Sequence, residues 1–404
     1  MALLSVADAL ALVLADTAPL PAEAVGLVDA CGRVLAGGLM ALRTQPPADV
    51  SAMDGYAVRA ADVASAPVQL IVVGEVAAGR PFDREVGPGE AARIFTGGVM
   101  PRGADTVVIQ EVATRQGNVV AIPRPEPKGR YVRPEGFDFK AGAAVLLTKG
   151  QHLTARDIAL AGAMNHATVP VHRRPRVAIL ATGDELVAPG TPPAPGQIVS
   201  SNGFALIAIC KREGAETLDL GVAPDRLDAT IAAVRRAKEA GADVLVTTGG
   251  ASVGDYDFVR QASASEGMAL SFWNVAMRPG KPLMHGRLDG MSVLGLPGNP
   301  VSSFVCAVLF LVPLLRQFAG RRDISLPTGR AALGSALPAN DGRAEYMRAT
   351  LATSPEGSLV ATPFPKQDSS LLVPLARADC LVIREPYAPA AQPGSPCDIH
   401  TLQF

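Results

Sequence analysis

Three times in its middle third the chain runs a short, mostly apolar stretch straight into a loop rich in glycine, aspartate or proline. Residues 176–181 lead into Thr182-Gly183-Asp184-Glu185-Leu186, and residues 243–248 lead into Thr248-Gly249-Gly250-Ala251-Ser252-Val253-Gly254-Asp255-Tyr256-Asp257. Residues 291–296 lead into Pro297-Gly298-Asn299-Pro300. Apolar runs of that length bounded by glycine read as buried strands. Helical patterns separate them. Residues 202–213 stop at Gly214, and 301–318 form one long apolar helix. Residues 225–240 carry Leu227, Ile231 and Val234 on one face, with Asp225 as cap and Gly241 past the end. With 217–220 as a further strand, the alternation predicts a parallel sheet whose ligands bind beyond the strand carboxyl ends. All three loops then meet along one edge.

Their chemistry is complementary. Glycines let backbone N–H groups approach a ligand, and free amides in a turn cradle an anion. Pro300 suits a first helical position with Asn299 as cap, so a helix N-terminus points into the same cleft. Asp184, Glu185, Asp255 and Asp257 repel a phosphate unless a cation lies between, and one or two carboxylates plus substrate phosphate are how Mg²⁺ is usually held. Arg278-Pro279-Gly280-Lys281-Pro282 adds two cations on a proline-stiffened turn, suited to a phosphate or another oxyanion. Any one of these segments alone reads equally well as an ordinary turn.

The remainder of the 404 residues is too long to share that core, and it changes texture twice. Residues 1–44 and 141–173 read as a helical N-terminal domain, with Val6, Leu10, Val13 and Leu14 periodic and 154–164 a second helical stretch. Residues 45–140 read as a β-rich insert, with strands at 68–76 and 106–112. Residues 174–320 are the α/β domain, and 325–404, rich in proline and glycine, form a small β domain. In the insert, Ser51-Ala52-Met53-Asp54-Gly55-Tyr56-Ala57-Val58 and Thr96-Gly97-Gly98 place acid and hydroxyl groups beside glycine turns. Composition alone makes both of them hairpin turns.

Composition excludes several classes. A net charge of −1 rules out a broadly basic surface for nucleic acid. The 5 cysteines are dispersed, with no C-x-x-C pair, which argues against a disulfide framework and a structural zinc. His152, His166 and His172 lack metal spacing and read as surface or packing residues. Residues 5–14 lack a basic leader and read as a first helix rather than a signal peptide. No apolar run reaches the ~18 residues of a membrane span, so no membrane role and a cytoplasmic location are expected.

The motifs together resemble the MoeA family of molybdopterin molybdenumtransferases, also seen as the C-terminal domain of gephyrin. The resemblance rests on Ser51–Val58 (SAMDGYAV), Thr96-Gly97-Gly98 with 101–105, and 133–138. It continues through 182–186, 248–257, 278–282 and 297–300, in the family's order and over nearly the whole chain. It implies a multidomain α/β protein: a MogA-like central molybdopterin-binding domain, a helical N-terminal domain with its β-rich insert, and a small C-terminal β-barrel-like domain. It further implies an elongated, L-shaped homodimer whose cleft joins the α/β domain of one subunit to the insert of the other.

The activity implied is molybdenum insertion: molybdate and adenylyl-molybdopterin give molybdenum cofactor and AMP, with Mg²⁺ required. Transient contacts with a molybdopterin adenylyltransferase and with acceptor molybdoenzymes belong to the same picture. Carried over by position, Asp54, Thr96, Asp138, Glu185, Asp243 and Lys281 are the catalytic candidates. Arg133, Thr182, Gly183, Asp184, Gly249, Gly250, Ser252, Gly254, Arg278, Pro297, Gly298, Asn299, Pro300 and Ser369 are the substrate-binding candidates, and Asp257 and Asp255 the metal ligands. The chain departs from the family at Asp368, where Gln-Gly-Ser is usual, at Asp379, where Ala-Asn is usual, and at Arg278, where Lys is frequent. Molybdopterin adenylyl transfer and a non-catalytic scaffold role are the alternatives. Residues 1–170 and 325–404 count against the first, and the lack of gephyrin's linker and fused N-terminal domain counts against the second.

Overall fold

The computed structural model describes residues 3–80, 82–249 and 258–402. At its centre is a six-stranded sheet in the order Glu216–Ala223, Arg176–Thr182, Val244–Thr248, Met291–Leu296, Met284–Leu288, Ala269–Trp273. The first four strands are parallel, as expected. The last two are antiparallel and extend one edge. They left little trace in the sequence because Ala269–Trp273 is largely exposed and broken by Ser271, and Met284–Leu288 carries His285, Gly286 and Arg287 between its apolar ends. Val244–Thr248 and Met291–Leu296 are buried throughout, which is what helices on both faces of a sheet require.

On one face, Leu206 and Ile209 of the helix Asn202–Arg212 pack with Val301, Val305 and Phe310 against Val177, Ile179 and Val246. On the other, Ala233 and Val234 of Leu227–Glu239 and Val259 of Phe258–Ser265 pack against Ala178, Leu180 and Leu245. The helix from Pro300 to Phe318 spans 19 residues, with a π-turn at Ala307–Leu311. Among the described residues it is the one helix long and apolar enough to cross a membrane, but 89% of its most apolar 18-residue stretch is buried inside the protein. It is the core helix of this domain. Asp225 is not the cap of the next helix, contrary to the sequence pattern: Arg226 holds that position, and the Asp225 carboxylate turns to the Asp184 amide.

Residues 1–44 do not form one helical unit. Val6–Leu14, capped by Ser5 on the Asp8 amide, puts Ala9 and Val13 into the central core, and Arg287 holds its end through the Val13 and Ala15 carbonyls. Ala22–Gly26 instead pairs antiparallel with Thr168–His172. That ribbon packs with Leu27–Ala30 and Ala155–Ala163 around Leu35, Leu147 and Leu153. The β-branched residues Thr168, Val169 and Val171 favour the strand, and Pro170 is tolerated in a ribbon of two strands.

The insert is a second six-stranded sheet, ordered Thr106–Ile109, Gly55–Val58, Glu90–Ile94, Val68–Val76, Val119–Ile122, Thr114–Gln116. Gly55 is required there, since a Cβ would meet the Val108 carbonyl oxygen at 2.1 Å. The C-terminal strands close on themselves: Ala344–Thr353, Leu359–Pro363, Thr328–Leu333, Pro396–Thr401 and Cys380–Arg384, which pairs back to Ala344–Thr353. Closure removes the exposed edges of a small sheet. Met277–Arg278 pairs with Ala344 and Glu345, tying the turn that follows to the barrel.

Candidate active site

Each loop expected to carry chemistry leaves the carboxyl end of a parallel strand, and the described parts of all three line one cavity of about 770 Å³. Thr182 and Glu185 come from the first loop, Thr248 and Gly249 from the second, and Pro297, Gly298, Asn299 and Pro300 from the third. Arg278 and Lys281 form the facing wall. Gly250, Ser252, Gly254, Asp255 and Asp257 lie outside the described residues. Gly249, at φ +89°, lies so near the first strand that a Cβ would stand 2.6 Å from the Thr182 carbonyl oxygen. Close strand packing therefore forces glycine there and leaves the backbone itself to face a ligand.

The Pro297–Pro300 turn is held from two sides. Asn202 Nδ2 donates to the Gly298 carbonyl at 2.7 Å, and Asn299 Nδ2 donates to Ser369 Oγ at 2.9 Å. Asn299 is the residue before the helix, as expected, but its side chain does not cap it. The Val301 amide meets the Ser369 carbonyl at 3.0 Å. Pro300 opens the helix whose partially positive end faces the cavity.

The two cations of the facing turn differ. Arg278 lies 3.3 Å from Glu345 and 3.5 Å from Asp341, and donates to Asn340 at 2.9 Å. Its Nε is buried without a partner. Lys281 is exposed, and among the described residues it forms no ion pair. Gly280 between them, at φ +107°, rests on the core helix, where a Cβ would meet Cys306 Sγ at 2.4 Å. Burial pushes the Cys306 thiol far up, so it packs as a neutral side chain.

The barrel supplies a third wall: Arg343, Ser369, Ser370 and Leu372 all line the cavity. Of these only Ser369 was expected; Arg343, Ser370, Ser200, Ser201 and Asn202 were missed. Arg343 pairs with Asp341 at 2.8 Å, and that pairing keeps its guanidinium firmly protonated. Its sequence context, Gly342-Arg343-Ala344, carries no signal that separates it from a turn. The departures at Asp368 and Asp379 are accommodated locally. Asp368 accepts from the Ser370 amide at 2.8 Å and its hydroxyl at 2.6 Å, and Asp379 accepts from the Leu351 amide at 2.9 Å.

Asp184 sits just outside the lining. Its carboxylate accepts the Asp225 amide at 3.1 Å, and its own amide reaches the Asp225 carboxylate at 3.4 Å. Gly183, at φ +147°, leaves room for the Glu185 carboxylate, which would lie 2.4 Å from a Cβ. Burial raises the Asp225 pKa, and the charges of Asp184 and Glu185 add to that rise.

Asp243 is not brought to the cavity. It precedes Val244, at the amino end of its strand and the opposite edge from the loops. Arg173 binds its carboxylate at 2.7 and 2.8 Å, and the Arg176 amide adds a bond at 2.8 Å. Two strand-entry segments converge on that carboxylate, a structural set of contacts, whereas the resemblance implies a catalytic role. Asp243→Ala should lower stability by about 2 kcal/mol, as a partly buried pair is broken, with little change in turnover per folded molecule. Thermal unfolding measured beside activity checks this; a stable but inactive variant would uphold the catalytic assignment.

In the insert, Asp54 and Thr96 meet. Asp54 Oδ1 accepts the Thr96 amide at 2.7 Å and its hydroxyl at 2.8 Å. Those two donors, with the nearby Arg93 charge, hold the Asp54 carboxyl below its ordinary value. Arg93 is itself fixed over Tyr56 and Phe95 at 5.2 and 4.9 Å. Arg133 lies on a short ribbon with Val50, and Asp138 follows it; both are exposed. Among the described residues, none between 45 and 140 lines the cavity. One chain therefore presents two separate constellations.

Residues 4–164 match the family profile of the MoeA N-terminal region (domain I and II). Residues 178–317 match a probable molybdopterin binding domain, and 330–402 the MoeA C-terminal region (domain IV). A molybdopterin molybdenumtransferase of Nostoc sp. is 44% identical over 74% of this chain and 70% of its own length. That of Haemophilus influenzae is 33% identical over 91% and 90%. A solved molybdopterin biosynthesis MoeA protein from Pyrococcus horikosii superposes over 100% of both chains with a TM-score of 0.85 at 31% identity.

Proposed function

The chain belongs to the MoeA family, and from that premise we propose that it is a molybdopterin molybdenumtransferase acting on adenylyl-molybdopterin and molybdate. One observation carries the reading: strand-end loops, a cationic turn and the barrel wall line a single cavity. The loops and helix start suit a phosphate. Arg278 and Arg343 on the other walls suit a second, smaller oxyanion. Two anionic reactants need opposed positive walls, and a reaction on one pterin phosphate does not need the barrel.

The residues divide the work. The amides of Gly249 and Gly298 and the helix start at Pro300 bind phosphate oxygens, and Lys281 neutralises the charge that develops on the released AMP. Glu185, with Asp184 and Asp225, forms a carboxylate corner that, among the described residues, makes no ion pair with lysine or arginine. Among the described residues no group of three or more His, Cys, Asp or Glu side chains could hold a metal ion, so Mg²⁺ would draw on one or two carboxylates such as Glu185 plus substrate phosphate. Asp255 and Asp257, outside those residues, are the remaining candidates. When bound, the ion would supply charge neutralisation at the phosphoanhydride. Asp54 and Thr96 are proposed to complete the cleft from a second subunit of a homodimer.

The test is AMP release from adenylyl-molybdopterin with Mg²⁺, with and without molybdate, and mass spectrometry of the pterin product. Molybdate-dependent release with a mass gain of one molybdenum centre is expected. Release indifferent to molybdate overturns the reading, and net formation of adenylyl-molybdopterin from ATP would favour the adenylyltransferase.

A further inference from the structure

Arg348 lies on the barrel strand Ala344–Thr353 and is 1% exposed, the largest fully buried side chain described. Among the described residues it makes no ion pair. Its donors go instead to one loop. Nη1 donates to the Leu371 carbonyl at 2.9 Å, and Nη2 to the carbonyls of Asp368 at 3.0 Å and Lys366 at 3.4 Å. Nε donates to Gln367 Oε1 at 3.3 Å. Gln367 returns the grip, donating from Nε2 to the Arg348 and Phe364 carbonyls at 3.0 and 2.9 Å.

Such a cation is not needed to fill a barrel. A buried charge costs desolvation, and an apolar side chain of similar volume often stabilises as well or better. What a guanidinium does that an apolar group cannot is hold several acceptors at fixed angles. Here those acceptors belong to residues 366–371, the loop whose outward face is Ser369 and Ser370 on the cavity wall. The loop is thus fastened twice, inside on Arg348 and outside where Ser369 meets Asn299 and Val301.

We propose that Arg348 is a positioning residue for the oxyanion side of the cleft, setting Ser369 and Ser370 beside the Arg278–Lys281 turn, with which they line the cavity. It touches no substrate and acts through the loop. The inference rests on the proposed molybdate-dependent activity, so wild-type molybdate dependence is established first. Arg348→Lys keeps the charge but loses the planar fork. Its KM for molybdate should rise about tenfold, with kcat and the KM for the adenylated pterin within about twofold, because misplacement by a fraction of an ångström acts on the group the loop presents.

Because Arg348 acts through Ser369, Arg348→Lys combined with Ser369→Ala should be no weaker toward molybdate than Ser369→Ala alone. An unchanged molybdate KM, or effects that simply multiply, overturns the proposal. Where Arg348→Lys does not fold, Gln367→Met, which leaves the guanidinium in place but removes the acceptor of its Nε and of the Arg348 amide together with the Gln367 bonds to the Arg348 and Phe364 carbonyls, carries the same two criteria. Should wild-type turnover ignore molybdate, the functional reading fails by itself, and amide hydrogen exchange decides the inference. Arg348→Lys must then speed exchange at Ser370, Leu371 and Val301 while the barrel strands keep wild-type protection; unchanged exchange at those amides overturns it.

Discussion

Lys281→Met should lower kcat/KM for adenylyl-molybdopterin by about a hundredfold or more, with the fold intact. The magnitude follows from removing one preorganised charge aimed at a developing anion, about 2.7–4 kcal/mol in comparable sites. The fold should tolerate the change because Lys281 is exposed and among the described residues holds no carboxylate. Arg278 is the contrast. It is engaged with Asn340, Asp341 and Glu345, so Arg278→Met should also loosen the contact between the turn and the barrel. Thermal unfolding separates the two, since only the Arg278 variant should lose stability. A Lys281→Met enzyme within a few-fold of wild type would remove Lys281 from the phosphate site.

The parallel core was legible because three of its strands, Arg176–Thr182, Val244–Thr248 and Met291–Leu296, are buried almost throughout and so must be written in apolar residues. The glycine loops were legible because close backbone approach admits nothing else: Gly249 against Thr182 and Gly280 against Cys306 are cases in point. Long-range partners were less visible. Nothing in the sequence around Asp243 says that Arg173, 70 positions away, will bind its carboxylate. The motif match therefore named a residue whose place in the fold is the far edge of the sheet. Arg343 and Ser370 reach the cavity only because the barrel closes and docks through Met277–Arg278, a two-residue pairing with no sequence pattern of its own. The N-terminal segment misled for the opposite reason. Its periodic start is helical, but Ala22–Gly26 becomes a strand through pairing with Thr168–His172.

The shared-cleft arrangement makes a prediction that a site within one chain cannot meet. Asp54 and Thr96 form their pair on the insert, while the described residues lining the cavity all lie at or beyond Thr182. Asp54→Ala should keep the adenylated pterin bound, since Lys281 and the loop amides are untouched, yet release AMP at no more than about a hundredth of the wild-type rate when molybdate is added. Thr96 donors hold the Asp54 carboxyl below its ordinary value, so it is an anion throughout the neutral range and Asp54→Asn should lose activity nearly as fully. Lys281→Met should be equally inactive alone. When the two inactive homodimers are mixed and allowed to exchange subunits, half the dimers are heterodimers. Each heterodimer has one cleft with both defects and one with neither, so activity should return to about a quarter of wild type. Light scattering at micromolar concentration should find a dimer in every sample. Failure to recover any activity after demonstrated subunit exchange would place Asp54 and Lys281 in the same chain's site, and a fully active monomer would dispose of the shared cleft altogether.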